Sequence, residues 1–209
     1  GEADNGDICA LYGAAGTKLG EGFYNKNSLI SLRLLDKSYD GDFVIYARKM
    51  ILDALELRRT FYPDRNSYRL IFSESDFMPG LIVDKFNNTY VLQVYCFGMQ
   101  KNIEHVVKVL KDDLGAKNIF SKNEGYFRKL EGLPEEDQLF EGEIGKEVID
   151  DGSIKYNIDL SVSQKTGFYF DQCDNREFIE KIVKGKKVLD AFCNSGGFGL
   201  HAARAGASW

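Results

Sequence analysis

Residues 187–198 read Lys-Val-Leu-Asp-Ala-Phe-Cys-Asn-Ser-Gly-Gly-Phe. Apolar residues of strand type run into a small-residue turn with two adjacent glycines, Gly196 and Gly197, and a helix is expected beyond them. In doubly wound α/β folds such a turn lies where strand ends converge on a crevice, and glycines let the backbone approach a nucleotide-like ligand. The turn alone leaves two readings open. It is not a Walker loop, because no Lys-Ser/Thr pair follows Gly197, and it lacks the three-glycine dinucleotide fingerprint. A strand-turn-helix with two glycines is also a common tight connection.

A second polar segment lies upstream, from Ser163 to Arg176 (Ser-Gln-Lys-Thr-Gly-Phe-Tyr-Phe-Asp-Gln-Cys-Asp-Asn-Arg). Gln164, Lys165 and Thr166 supply donors that suit a carboxylate. Phe168 and Tyr169 offer ring faces for an adenine or a sulfonium cation. Asp171 could accept from an ammonium group, and Arg176 could pair with a carboxylate or hold Asp171 in place. The alternative is a polar loop that caps a helix at Asp174 and buries two aromatics.

These segments need a scaffold. The 209 residues can hold one large or two small domains, and 44% hydrophobic with 28% charged residues is ordinary for a globular protein. No apolar run approaches the length of a membrane span, and no basic-apolar-small leader opens the chain. Cys9, Cys96, Cys173 and Cys193 are far apart, which fits reduced thiols in the cytoplasm rather than a zinc site. Two histidines, His105 and His201, are too few for a His-based metal centre. The net charge of -5 gives no basic footprint for nucleic acid, although a local basic patch can sit on an acidic protein.

Short strands are expected over residues 6–35, with Leu29–Leu35 a good candidate. Thirty residues of this kind cannot bury a core alone. Residues 42–59 form the clearest helix, with Phe43, Ala47, Met50, Ile51, Ala54 and Leu55 on one face and Asp42 or Asp40 as cap. Arg48, Lys49, Arg58 and Arg59 read as a solvated face, with nucleic-acid contact the alternative. Residues 68–122 read as an α+β unit: a strand at Tyr68–Phe72, a hairpin turning at Asn87-Asn88, a helix over 100–114 ended by Gly115, and a strand at Asn118–Ser121. Residues 131–142 read as an acidic loop. A second hairpin turns at Asp151-Gly152, with Ile154, Tyr156, Ile158 and Leu160 inward. A helix over 174–184 carries a capping-box pair, Asp174 and Glu177, and turns Phe178, Ile179, Ile182 and Val183 inward.

Gln164-Lys165-Thr166-Gly167-Phe168, Asp171-Gln172, Asp174-Asn175-Arg176 and Val188–Cys193 with Gly196-Gly197-Phe198 resemble the bacterial class I S-adenosylmethionine-dependent methyltransferases that modify cytosine carbon 5 in large-subunit (23S) ribosomal RNA. Met78–Asp84 and Arg128–Leu133 resemble that family's central domain, and Gly20–Asn25 with Ser28 resembles the end of its PUA barrel. The resemblance implies α/β with α+β architecture. Residues 1–38 would be the C-terminal part of a PUA-like β-barrel, 39–142 a helical connector with a central α+β domain, and 143–209 a hairpin plus the first part of a Rossmann-like domain. It implies S-adenosyl-L-methionine as cofactor, bordered by Gln164, Lys165, Thr166, Phe168, Asp171, Arg176, Asp190, Cys193, Asn194, Ser195, Gly196 and Gly197. It also implies large-subunit ribosomal RNA as partner, without a membrane. Three departures from the family stand out: Ser163 stands for its glycine, Cys173 for its arginine, and Asn194-Ser195 for its frequent Tyr-Thr.

Cytosine carbon 5 is a poor nucleophile, and such enzymes use a cysteine thiolate that adds at carbon 6. Cys193 lies in the expected cofactor loop and reads as a packing residue, so the catalytic nucleophile is expected beyond Trp209. The chain is therefore expected to be truncated at both ends and inactive alone. Val188, Leu189, Phe192 and Phe198 are expected to need cover, from a homodimer among other sources. The competing readings are a non-catalytic RNA-binding fragment and a methyltransferase for another base or for a protein.

Overall fold

The computed structural model describes residues 2–208. Strands β1 (Ile8–Tyr12), β2 (Lys18–Tyr24) and β3 (Leu32–Leu34) form an antiparallel sheet in that order. Gly22 is required at its centre, because a Cβ there would lie 2.3 Å from the Arg33 carbonyl oxygen. Three short strands cannot close a core, so Phe23 is buried in a shared cluster with Phe43 and Met99 of the next unit. The expected strand Leu29–Leu35 shrinks to β3. Asn25 Oδ1 accepts from Asn27 N (3.0 Å) and Ser28 Oγ from Ile30 N (3.2 Å), and these local turns displace the ladder and leave Leu29 and Ile30 exposed.

Helix α1 (Phe43–Phe61) starts where Asp42 Oδ1 accepts from Val44 N (2.8 Å) and Ile45 N (3.2 Å). It buries Phe43, Ala47, Met50, Ile51, Ala54 and Leu55, the expected face, together with Tyr46. Arg48 and Lys49 lie on the polar side, paired with Asp113 and Asp53. Arg58 departs from the solvated reading: its guanidinium turns inward and grips Asp76 at 2.6 and 2.7 Å.

The centre is a five-stranded sheet, β4 (Ser67–Phe72), β5 (Leu81–Phe86), β6 (Thr89–Val94), β7 (Asn118–Ser121) and β8 (Gln138–Glu141), paired in that order. Asn87 takes the left-handed φ of +54° that the β5–β6 turn demands. Every residue of β6 is buried, as a central strand requires. β6 and β7 are parallel, so a crossover joins them. The helix expected over 100–114 is two helices, α2 (Phe97–Lys101) and α3 (Ile103–Asp112), broken at Asn102, whose Nδ2 donates to Gly98 O at 2.8 Å. Helix α4 (Gly125–Glu131) was not expected, and neither was β8 inside the acidic stretch. β8 is an edge strand held through Ser121, whose Oγ accepts from Gln138 N (3.1 Å), and its exposed Leu139 shows no alternation to read. Buried Glu131 joins the first sheet to this unit by accepting from Asn25 Nδ2 (3.0 Å), Ser28 Oγ (2.5 Å) and Arg33 Nη2 (3.0 Å).

Helices α1 and α3 cover one face of the sheet. The hairpin β9 (Lys146–Asp150) and β10 (Lys155–Asp159) covers the other, enclosing Phe86, Val91, Phe120, Ile149, Tyr156 and Leu160. Helices α5 (Cys173–Ile179) and α6 (Gly197–Arg204) pack on each other beyond it. Three expectations fail here. Asp174 and Glu177 do not form a capping box, since Arg65 takes both (3.4 and 2.6 Å), and Phe178 and Ile182 are exposed. The strand expected at 187–192 forms no ladder; among the described residues Lys187 makes one parallel bridge, to Ser208. A strand exists through its neighbours, and without them Leu189 is 89% exposed and Phe192 fully so. No helix among the described residues is long and apolar enough to cross a membrane.

Candidate cofactor site

The Ser163–Gln172 loop leaves β10 and is pinned to the central sheet at two points. Lys122, after β7, donates through Nζ to the Ser163 carbonyl and to Leu160 O (3.2 Å). Thr166 Oγ1 donates to Asp84 Oδ2 (2.5 Å), and Asp84, fully buried on β5, is gripped by Arg69 Nε and Nη2 at 2.9 Å each. Burial pulls the Lys122 ammonium down in pKa, because its acceptors are carbonyls and a hydroxyl rather than a carboxylate. Gly167 is demanded twice over: its φ is +133°, and a Cβ would sit 2.5 Å from Leu160 Cδ2.

The loop then drives Phe168 into the second core, with ring centroids 4.9 Å from Tyr156 and 5.3 Å from Phe170. The Arg176 guanidinium stacks on Phe168 at 4.4 Å and lies 5.8 Å from Phe198. Among the described residues Arg176 is buried without a carboxylate partner: its Nη1 reaches Cys173 Sγ at 3.8 Å, and its Nε has no acceptor. It runs beneath the start of α6, which is why position 197 is glycine: a Cβ there would lie 2.5 Å from Arg176 Nε. Burial pushes the Cys173 thiol up to about 11, against the pull of Arg176 and Arg65.

The second segment closes on the same place. Phe192, Asn194 and Gly196 all have left-handed φ (+58°, +50° and +72°). Asparagine and glycine tolerate this; for phenylalanine it stores on the order of 1–2 kcal/mol. Asp190 Oδ2 accepts from Gly199 N at 2.8 Å and so ties the loop to the first turn of α6. A groove of about 550 Å³ results, lined by Gln164, Tyr169, Gln172, Arg176, Asp190, Ala191, Phe192, Cys193, Asn194, Gly197 and Phe198.

The structure thus brings Gln164, Arg176, Asp190, Cys193, Asn194 and Gly197 together. It separates the others. The Thr166 hydroxyl is engaged by Asp84, and the Phe168 ring packs in the second core. Lys165, at a φ of +53°, reaches Glu124 (3.0 Å), and Asp171 accepts from Gln172 Nε2 (2.9 Å) rather than from Arg176; both face a different groove, over the central sheet. Ser195 and Gly196 line an apolar cavity of about 410 Å³ between Val188 and α6.

Sequence reasoning missed the groups that hold this geometry: Arg69, Asp84, Lys122 and His201. His201, on α6, is fully buried between Asp151 Oδ2 (2.9 Å from Nε2) and Glu180 Oε1 (2.6 Å from Nδ1), and Arg204 also reaches Glu180 (2.7 Å). It ties the helix of the glycine turn to the β9–β10 turn. Burial raises the Asp151 carboxyl, but bonds from His201, Ile154 N and Ser153 N outweigh it and hold the pKa below the usual carboxylate range. Asp151 was legible as a turn residue; nothing in its neighbourhood signalled a partner fifty residues on.

Residues 1–37 match the sequence model of a PUA-like domain family. A putative ribosomal RNA large subunit methyltransferase of Methanocaldococcus jannaschii is 36% identical over 203 residues, covering 97% of this chain and 51% of that protein. Ribosomal RNA large subunit methyltransferase I of Aliivibrio fischeri is 34% identical over 214 residues, covering 99% and 54%. Among solved structures, a putative SAM-dependent methyltransferase from Streptococcus mutans superposes with a TM-score of 0.81 at 20% identity, over 99% of this chain and 54% of that one. A second, a putative methyltransferase complexed with SAH, gives the same score and identity over 97% and 53%. The fold is therefore the mixed α/β one that the sequence implied, shared with a SAM-dependent methyltransferase and opened by a PUA-like segment. Over nearly all of its own length the chain is similar to ribosomal RNA large subunit methyltransferases, and it spans about half the length of the curated relatives it matches.

Proposed function

We propose that the chain is part of an S-adenosylmethionine-dependent methyltransferase acting on cytosine carbon 5 of large-subunit ribosomal RNA in the cytoplasm, with the groove between Gln164–Arg176 and Asp190–Phe198 as its cofactor site. One observation carries the reading. Two polar segments on either side of α5 close on one groove, and a buried guanidinium whose Nε–H has no acceptor among the described residues stands in its wall. That donor set fits the cofactor. Arg176 and the Gln164 amide suit a carboxylate. The rings of Tyr169, Phe192 and Phe198 suit an adenine face or a sulfonium. Asp190 has one oxygen engaged by Gly199 N, and its other oxygen can accept from an ammonium or hydroxyl. When bound, S-adenosylmethionine supplies an activated methyl group.

The names of the similar proteins support ribosomal RNA as the substrate; carbon 5 rests on the motif resemblance. That chemistry needs a thiolate. Cys96 and Cys173 are buried with thiols pushed up in pKa, which keeps them protonated and inert. Cys193 lies exposed in the groove wall, where we assign it no covalent role. We place the nucleophile outside these 209 residues and expect this chain alone to turn over no RNA. The uncovered Leu189 and Phe192 are the face that a fuller Rossmann-like sheet, or a homodimer, would cover.

The test is calorimetric titration with S-adenosylhomocysteine, on this chain and on a version extended to the length of its relatives. The extended protein should bind, and Arg176→Gln should weaken binding about tenfold or more, the loss expected for one charge-assisted contact. If neither protein binds, the groove is structural and a non-catalytic RNA-binding role takes precedence.

A further inference from the structure

A second groove, of about 520 Å³, opens on the other side of the Lys165–Tyr169 loop, over the central sheet. Tyr169 lines both grooves. The floor is polar and buried. Gln93, on β6, is only 3% exposed. Its Nε2 donates to Glu124 Oε1 (3.4 Å), and among the described residues its Oε1 accepts nothing. Glu124 Oε1 also takes Tyr95 OH (3.1 Å) and Lys165 Nζ (3.0 Å), while no bond among the described residues occupies Glu124 Oε2. Two unused acceptors therefore belong to residues that line one recess. These bonds outweigh burial and hold the Glu124 carboxyl below the usual range, so it is an acceptor at neutral pH.

The walls are flat and apolar. Phe72 and Phe127 are each about half exposed, and Phe127 is fixed edge-on against Tyr95 with centroids 5.6 Å apart. The Arg69 guanidinium lies 5.4 Å from the Phe72 ring. Rigid rings of this kind offer stacking platforms, and an aromatic ligand with N–H groups on its edge would satisfy both free acceptors.

We propose that this groove binds one unstacked RNA base bearing an exocyclic amino group, stacked between Phe72 and Phe127 with its amino edge on Gln93 Oε1 and Glu124 Oε2. The proposal rests on the RNA methyltransferase reading for its ligand, but the two fail separately. Cytosine offers the floor an amino group at carbon 4, where uracil presents a carbonyl oxygen to two acceptors. The base must leave its stack to enter, so single-stranded RNA is the form that binds.

Fluorescence anisotropy with labelled oligocytidine and oligouridine octamers tests this on the unmodified chain, with free CMP and UMP as competitors to tell a base site from a phosphate-tracking surface. Oligocytidine should bind about tenfold tighter, the value of one good edge contact. Glu124→Gln should abolish the preference. Phe127→Ala, at an exposed position, should weaken both octamers about tenfold through lost stacking. CMP should compete better than UMP. Equal binding of the two octamers, no binding of either, equal competition by CMP and UMP, or a preference that survives Glu124→Gln overturns the proposal. Binding of S-adenosylhomocysteine without base preference refutes this groove alone; base preference without cofactor binding by the extended protein refutes the methyltransferase reading alone.

Discussion

Thr166→Val removes one hydroxyl while keeping the branched shape, and it separates two roles that a threonine in this loop could have. The Oγ1 donates at 2.5 Å to Asp84, a carboxylate with no exposure to solvent. A hydrogen bond to a charged group contributes about 1.5–3 kcal/mol, and a buried acceptor left short of a donor has no water to replace it. Asp84 keeps its two-pronged contact with Arg69, so the loss should fall near the middle of that range, about 2 kcal/mol. For a chain of this size that is a fall in Tm of roughly 4–8 °C. Urea unfolding is the assay: the midpoint should drop while the slope m stays constant. Asp84→Asn measured alone and combined with Thr166→Val completes a cycle, and the two changes should be strongly non-additive, because each removes the same bond. An unchanged midpoint for Thr166→Val, together with weaker S-adenosylhomocysteine binding by the extended protein, would refute the reasoning and return the hydroxyl to the cofactor.

Two further outcomes bear on the scaffold. The Asp151 carboxyl is held below its unfolded pKa of about 3.9, so its contribution to stability is complete above that value and is lost as pH falls through the lower folded value, where the folded state at last takes up the proton. Urea midpoints measured between neutral pH and pH 2 should fall in that acidic window, and Asp151→Asn should flatten the fall. Gly197→Ala places a methyl 2.5 Å from Arg176 Nε; overpacking of this kind costs about 1–3 kcal/mol, and the displaced guanidinium should lower S-adenosylhomocysteine affinity as well, with a thermal midpoint equal to wild type counting against the close approach.

Local chemistry was enough to find α1, the Asn87 turn, β7 and the β9–β10 hairpin, and to narrow the cap of α1 to Asp42 or Asp40, because each is set by a period, a cap or a turn within a few residues. The two segments that could hold a cofactor were legible for the same reason: glycines and polar side chains in short order. What escaped depends on partners distant in the chain. Asp174 and Glu177 have capping-box spacing, yet Arg65, more than a hundred residues earlier, claims them. Thr166 and Phe168 have the chemistry of ligand contacts, yet Asp84 and the second core consume it. Val188–Phe192 has the composition of a buried strand, yet a strand is a relation between neighbours, and here one bridge replaces a ladder. His201 carried no signal beyond being one of two histidines, and the fold sets it between two carboxylates. Residue type limits what a side chain can bond to; which partner reaches it first is decided only when the sheet, its hairpin and the two last helices pack together.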